Sequence, residues 1–180
     1  MKFWDDLRNY FYQNKLNEAI RNVKTIHKVT NLTDAKTIGI VYDSTKPDND
    51  IVIAKFAEQM RANGKSVELL GYINDPKVDS KADVTIFNKK ALSWTGVPNS
   101  DKVKAFTDKK FDLLLAPFIT NNAPLEFVAA TSKAKWRLGV YTKGKTDLYD
   151  MMVMMDGKTD LQYFLNQSIY FLNEIKYDSN

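Results

Sequence analysis

The 180-residue chain contains no cysteine, one histidine (His27) and 26 basic residues against 22 acidic ones, which gives a net charge of +4. The lack of cysteine excludes disulfide bonds, thiol nucleophiles and thiolate metal sites, and a single histidine cannot build a multi-histidine metal centre. With 44% apolar and 27% charged residues, both composition and length are typical of one globular domain.

The basic residues are mostly lysines, since only four of the 26 are arginines, the residue type that best forms bidentate contacts with bases and phosphates. One stretch has basic residues with no acid between them. It contains Lys133, Lys135, Arg137, Lys143 and Lys145. A solvated rim beside a strand is the favoured interpretation, and a phosphate-binding face is the alternative.

The first residues do not resemble a signal peptide, because Asp5 and Asp6 come early and no apolar core precedes a small-residue cleavage site. The longest apolar stretch, residues 151–155, is too short to span a bilayer. We therefore expect a cytoplasmic protein without a transmembrane segment.

Residues 2 to about 28 predict an amphipathic helix, because apolar residues recur at steps of three and four. We expect this helix to pack on the domain through Trp4, Leu7 and Phe11. Its aromatic residues also leave open a helix that lies on a membrane surface or binds a partner. His27, late in this segment, is interpreted as a charge partner of the helix C-terminus. Residues 1–34 are thus predicted to form a helix and connector, and residues 35–180 an α/β domain.

Strand and helix patterns alternate from residue 37 onwards. The predicted strands are 37–42, 67–72, 84–87, 111–116, 136–141 and 151–155. Helical patterns lie between them, and Thr159 and Asp160 predict the cap of a closing helix. The alternation predicts a three-layer α/β sandwich, Rossmann-like or flavodoxin-like, on a mainly parallel sheet of about five to six strands.

The turn after the first strand, residues 42–47, contains no glycine, whereas dinucleotide folds use Gly-x-Gly-x-x-Gly there to let the backbone approach a pyrophosphate. No Gly-Lys-Ser/Thr sequence follows any strand, so a P-loop is also missing. We therefore expect no metal, flavin, nicotinamide or other cofactor.

Polar side chains follow the first and fourth predicted strands. They are Asp43, Ser44, Thr45 and Lys46, and then Thr120, Asn121 and Asn122. Parallel strands end at one edge of a sheet, so these two loops meet if the strands are neighbours. Helix N-termini, amide donors and one lysine would then form a concave patch suited to an anionic group. The same residue types are also common helix caps and turn formers.

Segment 92–98 places Trp94 in an irregular loop that follows Lys89 and Lys90. An exposed aromatic ring can stack on a sugar or a base, which makes Trp94 a candidate ligand-binding residue. The alternative is that Trp94 closes the edge of the core.

Four features carry a resemblance to a known family: Tyr42-Asp43 at the end of strand one, and segments 64–72, 92–98 and 111–114 with 130–139. The chain from about residue 37 to 172 is similar to a family of small soluble α/β proteins of unknown function that is associated with Bacteroidetes. The resemblance implies no activity.

Segment 111–139 is also similar to the acceptor-side half of the heptosyltransferases, where a strand and a helix precede a Lys-Ala-Lys/Arg-x-Arg-x-Gly run. The chain departs from those enzymes after strand one, where it lacks their Gly-Asp turn, and it has no second Rossmann half. Transferase chemistry is therefore not expected.

These observations predict a non-catalytic domain that binds a protein partner or a small anionic ligand at the carboxyl edge of the sheet. The first alternative is a degenerate or partner-dependent sugar- or nucleotide-handling enzyme that uses Asp43 as a base. The second alternative is an RNA- or ribosome-associated protein. This hypothesis is based on the lysines and on Trp94.

Overall fold

A computed structural model of the chain describes residues 2–23, 25–78, 81 and 84–176. Strands and helices alternate through this part of the chain. Its elements are α1 (Lys2–Asn22), β1 (Thr37–Asp43), α2 (Pro47–Ala62), β2 (Ser66–Ile73), β3 (Thr85–Asn88), α3 (Asp101–Thr107), β4 (Leu113–Ala116), α4 (Ala123–Thr131), β5 (Arg137–Val140), β6 (Met151–Val153) and α5 (Leu161–Glu174). Within the described ranges, no helix combines the length and the hydropathy needed to cross a bilayer.

The six strands form one parallel sheet in the order β3-β2-β1-β4-β5-β6, which confirms the predicted α/β sandwich. This is the Rossmann order rather than the flavodoxin order. The chain builds the sheet outward from β1 in one direction and then crosses to β4 to build it in the other. The carboxyl ends of β1 and β4 therefore flank the topological switch point of the sheet.

Both faces of the sheet are buried, as the β-branched and leucine-rich strands predict. Ile40 of β1 packs with Ile53 of α2 and Phe164 of α5 on one face, while Val41 packs with Phe106 of α3 on the other. Because successive strand residues point to opposite faces, β1 supplies both cores. This places the ends of β1 and β4 between two layers of helices.

Helix α1 lies on α4, but not through the residues expected from the sequence. Tyr12 and Leu16 are 3% and 6% exposed, whereas Trp4 and Phe11 are 69% and 40% exposed. The expected contact with the domain is therefore wrong for Trp4, whereas Leu7 is partly buried and Phe11 packs on the ring of Trp94. The reason is that α1 carries two apolar stripes on different sides, and the stripe of Tyr12 and Leu16 faces the domain.

The predicted end of this helix was also too late, because α1 ends at Asn22 and His27 lies in the connector that follows. His27 does not act on the helix C-terminus. Its Nδ1 lies 2.9 Å from Oδ1 of Asp150, just before β6. This contact joins the connector after α1 to the residue that precedes β6, the edge strand of the sheet.

Candidate functional site

A crevice of about 290 Å³ opens at the carboxyl edge of the sheet, between the loops that follow β1 and β4. These two strands are hydrogen-bonded neighbours, with Ile38 opposite Leu113 and Ile40 opposite Leu115. The crevice therefore lies at the switch point, where open α/β sheets bind their ligands.

The polar part of the crevice comes from the turn between β1 and α2. The Asp43 carboxylate accepts a hydrogen bond from the Thr45 backbone N–H at 2.9 Å, and the Asn49 amide donates to the Asp43 carbonyl oxygen at 2.7 Å. Lys46 occupies the N-cap position of α2, and Pro47 opens the helix with its fixed φ. Asp43, Lys46 and Asn49 line the crevice from this rigid turn.

The opposite wall combines the loop after β4 with the start of α5. Phe118 and Ile119 supply apolar surface and Thr120 a hydroxyl, while Thr159 and Leu161 close the crevice from α5. The α5 start is fixed because the Asp160 carboxylate caps it, accepting from the Gln162 N–H at 2.9 Å. Three separate segments thus converge on one small space.

Of the predicted site residues, Asp43, Lys46 and Thr120 line this crevice. Thr45 does not, since its hydroxyl accepts a hydrogen bond from the Asn74 N–H at 3.1 Å. Asn122 caps α4, and its side chain accepts from the Leu125 N–H at 3.4 Å. The role of these residues in binding stays a prediction.

Ser44 does not line the crevice. Its side chain belongs to a polar cluster with Tyr42, Asp50 and Lys81. Its hydroxyl donates to Oδ1 of Asp50 at 2.5 Å and accepts from Nζ of Lys81 at 2.9 Å. The Tyr42 hydroxyl donates to the same Asp50 oxygen at 2.8 Å, and Lys81 forms an ion pair with Asp50. Burial, and then the hydrogen bond to Asp50, raise the pKa of Tyr42.

A serine beside a lysine and an aspartate suggests an activated nucleophile, but Ser44 is only 1% exposed. A substrate cannot reach its hydroxyl in this conformation. We interpret the cluster as the support that holds the β1–α2 turn in place. Within the cluster, Lys81 balances the negative charge of Asp50, which lies in the first turn of α2.

Asn121 belongs to a different polar group under α4. Its side-chain oxygen accepts from Nζ of Lys145 at 3.2 Å, and the same nitrogen lies 2.6 Å from the buried carboxylate of Glu126. Tyr149 packs nearby, and burial followed by the charge of Glu126 raises its pKa. The space at this group is about 10 Å³, room for one water molecule.

The basic stretch of the sequence is largely paired with carboxylates. Lys133 contacts Asp108 at 2.6 Å, and Lys135 contacts Asp112 at 2.7 Å. Arg137 pairs with Asp150, and Lys145 pairs with Glu126 as described above. These pairs favour a structural role for the stretch over a phosphate-binding face.

Trp94 lies outside the lining of the crevice. Its loop is closed by the Ser93 N–H, which donates to the Val97 carbonyl oxygen at 2.8 Å. The indole is 68% exposed, so it does not close the edge of the core, and it packs edge-to-face on Phe11 of α1 at 5.4 Å between ring centroids.

Six residues that line the crevice were not among the predicted site residues: Asn49, Pro117, Phe118, Ile119, Thr159 and Leu161. A signal existed for Thr159, because the predicted cap of the last helix follows a parallel strand and therefore lies at the same edge of the sheet. Nothing in the sequence indicates that α5 packs beside α2, which is what brings Leu161 to the crevice.

A model of a family of unknown function, DUF6913, matches residues 8–175. This match covers nearly the whole chain and supports the resemblance to an uncharacterised domain family. The association with Bacteroidetes and the local similarity to heptosyltransferases stay predictions. No curated protein matches the chain significantly.

Proposed function

The chain belongs to the DUF6913 family, and we propose that it is a domain that binds a small anionic ligand in the crevice between the loops after β1 and β4. The observation that carries the proposal is the coincidence of this crevice with the switch point of a Rossmann-ordered sheet. Ligands of open α/β sheets bind at that position irrespective of the chemistry that follows.

The charges of the crevice indicate where the ligand's anionic group lies. Lys46 supplies a positive charge at the N-terminus of α2, and Thr159 lies at the N-terminus of α5. The N-terminus of α2 carries positive partial charge beside Lys46, which favours an anion, whereas the N-terminus of α5 already receives the carboxylate of Asp160. The nearby Asp50 does not oppose this, because Lys81 neutralises it on the far side of α2.

The other residues that line the crevice indicate the chemistry of the rest of the ligand. The Asp43 carboxylate is an acceptor and suits a hydroxyl or amino group, while Phe118, Ile119 and Leu161 suit a short carbon skeleton. A volume of 290 Å³ lies at the lower end of ligand pockets, which span about 300–1,000 Å³. The ligand class is therefore a small hydroxy acid, amino acid or phosphate ester, and not a dinucleotide.

Isothermal titration with short hydroxy acids, amino acids, sugar phosphates and inorganic phosphate tests this proposal. We expect at least one compound to bind, and Lys46→Ala to weaken it about tenfold or more, since a charged hydrogen bond contributes about 1.5–3 kcal/mol. Lys55→Ala is the matched control, because Lys55 is an exposed lysine of α2 that does not line the crevice. Equal effects of the two variants would contradict the proposal.

A second variant blocks the crevice without removing a charge. Thr120 is exposed on its wall, so Thr120→Trp fills the space while leaving the core intact. We expect this variant to melt like the unmodified chain and to lose binding of the compound found above. Unchanged affinity in Thr120→Trp places the ligand elsewhere.

A further inference from the structure

Two side chains of opposite charge line the crevice between the loops after β1 and β4. Asp43 ends β1, and Lys46 holds the N-cap position of α2 three residues later. Among the residues that the structure describes, neither side chain forms an ion pair with the other or with a third residue. By contrast, Asp50 in the first turn of α2 is paired with Lys81. The crevice therefore offers a ligand one negative and one positive group.

The Asp43 end of the crevice provides hydrogen-bond acceptors. Oδ1 of Asp43 accepts from the Thr45 N–H at 2.9 Å, and within the described ranges no hydrogen bond reaches Oδ2. The side-chain nitrogen of Asn49 donates to the Asp43 carbonyl oxygen at 2.7 Å, so Oδ1 of Asn49 is the atom left to accept. A carboxylate beside an amide oxygen suits an ammonium group, which has three donors and no acceptor.

The Lys46 end of the crevice provides donors and positive charge. The Lys46 side chain is exposed, and an ammonium group at the N-cap position cannot accept a hydrogen bond from the helix N–H groups. The start of α2 therefore has no side-chain cap, and its positive partial charge adds to that of Lys46. This end of the crevice suits a carboxylate.

The two charges select among the ligands that the crevice admits. A hydroxy acid or a phosphate ester brings only negative charge, so Lys46 attracts it while the Asp43 carboxylate repels it. A zwitterion brings both charges, and each meets an opposite one. Asp43 and Lys46 are the charged residues of the described lining, so the crevice has no net charge. A ligand without net charge fits it best.

The apolar side of the crevice limits the remaining substituent of the ligand. Phe118 and Ile119 come from the loop after β4, and Leu161 comes from the first turn of α5. A short aliphatic group loses contact with water against these side chains, whereas a third charged group finds no partner there. The crevice volume of about 290 Å³ suits a single small molecule of this kind.

Resting on the function proposed for the same crevice, we propose that its ligand is a free α-amino acid with a short aliphatic side chain, bound as the zwitterion. The ammonium group binds the Asp43 carboxylate and the Asn49 side-chain oxygen. The ligand carboxylate binds Lys46, and the aliphatic side chain packs on Ile119 and Leu161. Asp43 is then the residue that separates an amino acid from the hydroxy acid of the same carbon skeleton.

Three compounds with one carbon skeleton test this ligand class. They are L-leucine, 2-hydroxy-4-methylpentanoate, which has a hydroxyl in place of the ammonium group, and 3-methylbutylamine, which lacks the carboxylate. In isothermal titration of the full chain we expect L-leucine to bind, and both analogues to bind about tenfold or more weakly, since each loses a charged hydrogen bond. Glycine should also bind about tenfold or more weakly than L-leucine, because it lacks the aliphatic side chain.

The variant Asp43→Asn tests the selecting residue. Asparagine keeps an acceptor for the Thr45 N–H but removes the negative charge. We expect L-leucine to bind this variant about tenfold or more weakly, whereas 2-hydroxy-4-methylpentanoate should bind no worse than to the unmodified chain, since the repulsion is gone. Asp48→Asn is the matched control, because Asp48 is an exposed residue in the first turn of α2 that does not line the crevice. Its substitution should change neither affinity.

The failure of this ligand class is distinguishable from the failure of the proposed function. If the hydroxy acid binds the unmodified chain as tightly as L-leucine, or if Asp43→Asn weakens both compounds equally, the amino-acid assignment is overturned. Binding in the crevice still stands in that case, provided that Lys46→Ala weakens the bound compound. If neither these compounds nor inorganic phosphate binds, both proposals fall. The comparison of the three compounds on the unmodified chain decides the matter even if Asp43→Asn does not fold.

Discussion

The Tyr12 hydroxyl donates a hydrogen bond of 2.6 Å to the carbonyl oxygen of Ala123, the first residue of α4. Burial, and then the charge of Glu126, raise the pKa of Tyr12, so the phenol stays protonated and remains a donor. This bond joins α1 to the element that follows the β4 loop of the crevice.

Tyr12→Phe removes this bond and leaves the Ala123 carbonyl without that donor. We expect the free energy of unfolding to fall by about 1 kcal/mol, the usual contribution of such a bond. Tyr170→Phe on α5 is the control and should change nothing, because the Tyr170 ring is exposed. Urea unfolding of both variants measures the difference, and equal stabilities would show that the bond contributes little.

The ion pair between Arg137 and Asp150 predicts a much larger effect. Nε of Arg137 lies 3.2 Å from the Asp150 carboxylate, which also accepts the Arg137 backbone N–H at 2.8 Å. Arg137 is only 7% exposed, so Asp150→Ala leaves a buried charge without its partner. We expect a loss of about 3–5 kcal/mol.

The control for Asp150→Ala is Asp147→Ala, because Asp147 is exposed in the same loop region. Its substitution should stay within about 0.5 kcal/mol. Denaturant midpoints of the two variants compare the effects directly. A loss in Asp150→Ala no greater than in Asp147→Ala would mean that water reaches and solvates Arg137.

Asp112 predicts a dependence of stability on pH. Burial alone would raise the pKa of Asp112, but hydrogen bonds from Lys135 and from Thr37 and Lys36 outweigh it and lower the pKa to about 2. Since the folded pKa lies below the ordinary value of 3.8, this stabilisation is present above about pH 4 and is lost as the pH falls towards 2.

We therefore expect Asp112→Asn to lower the melting temperature at pH 7, and the difference from the unmodified chain to shrink between about pH 4 and 2. Asp108→Asn is the control; Asp108 contacts Lys133 through a half-exposed side chain, so its substitution should have a smaller effect. A difference that stays constant down to pH 2 would contradict the assignment.

The fold was predictable from the sequence because short β-branched runs alternate with amphipathic segments. The strand order was not, since Rossmann-like and flavodoxin-like sheets have the same element pattern and differ only in which strands pair. The side of α1 that packs was not predictable either, because the stripes around Leu7 and Leu16 are both apolar. Which of the two stripes packs on the domain depends on where α4 lies in the folded chain.

For the crevice, parallel topology was enough to place Asp43, Lys46 and Thr120 at one edge. It was not enough to orient Ser44, whose direction depends on Asp50 and on the sequence-distant Lys81. Contacts between residues far apart in the chain decide which loop side chains face a ligand, and one sequence carries no direct signal for them.

Amide chemical shifts of the full chain, titrated with the tightest-binding compound of the panel above, show directly whether the ligand binds in the crevice. We expect the largest shifts at Lys46, Asn49, Thr120 and Leu161, which come from three separate segments of the crevice wall. We also expect these shifts to disappear in Thr120→Trp. Shifts centred instead on the lysine-lined surface of Lys110, Lys133 and Lys135, or no binding by any compound, would contradict binding in the crevice.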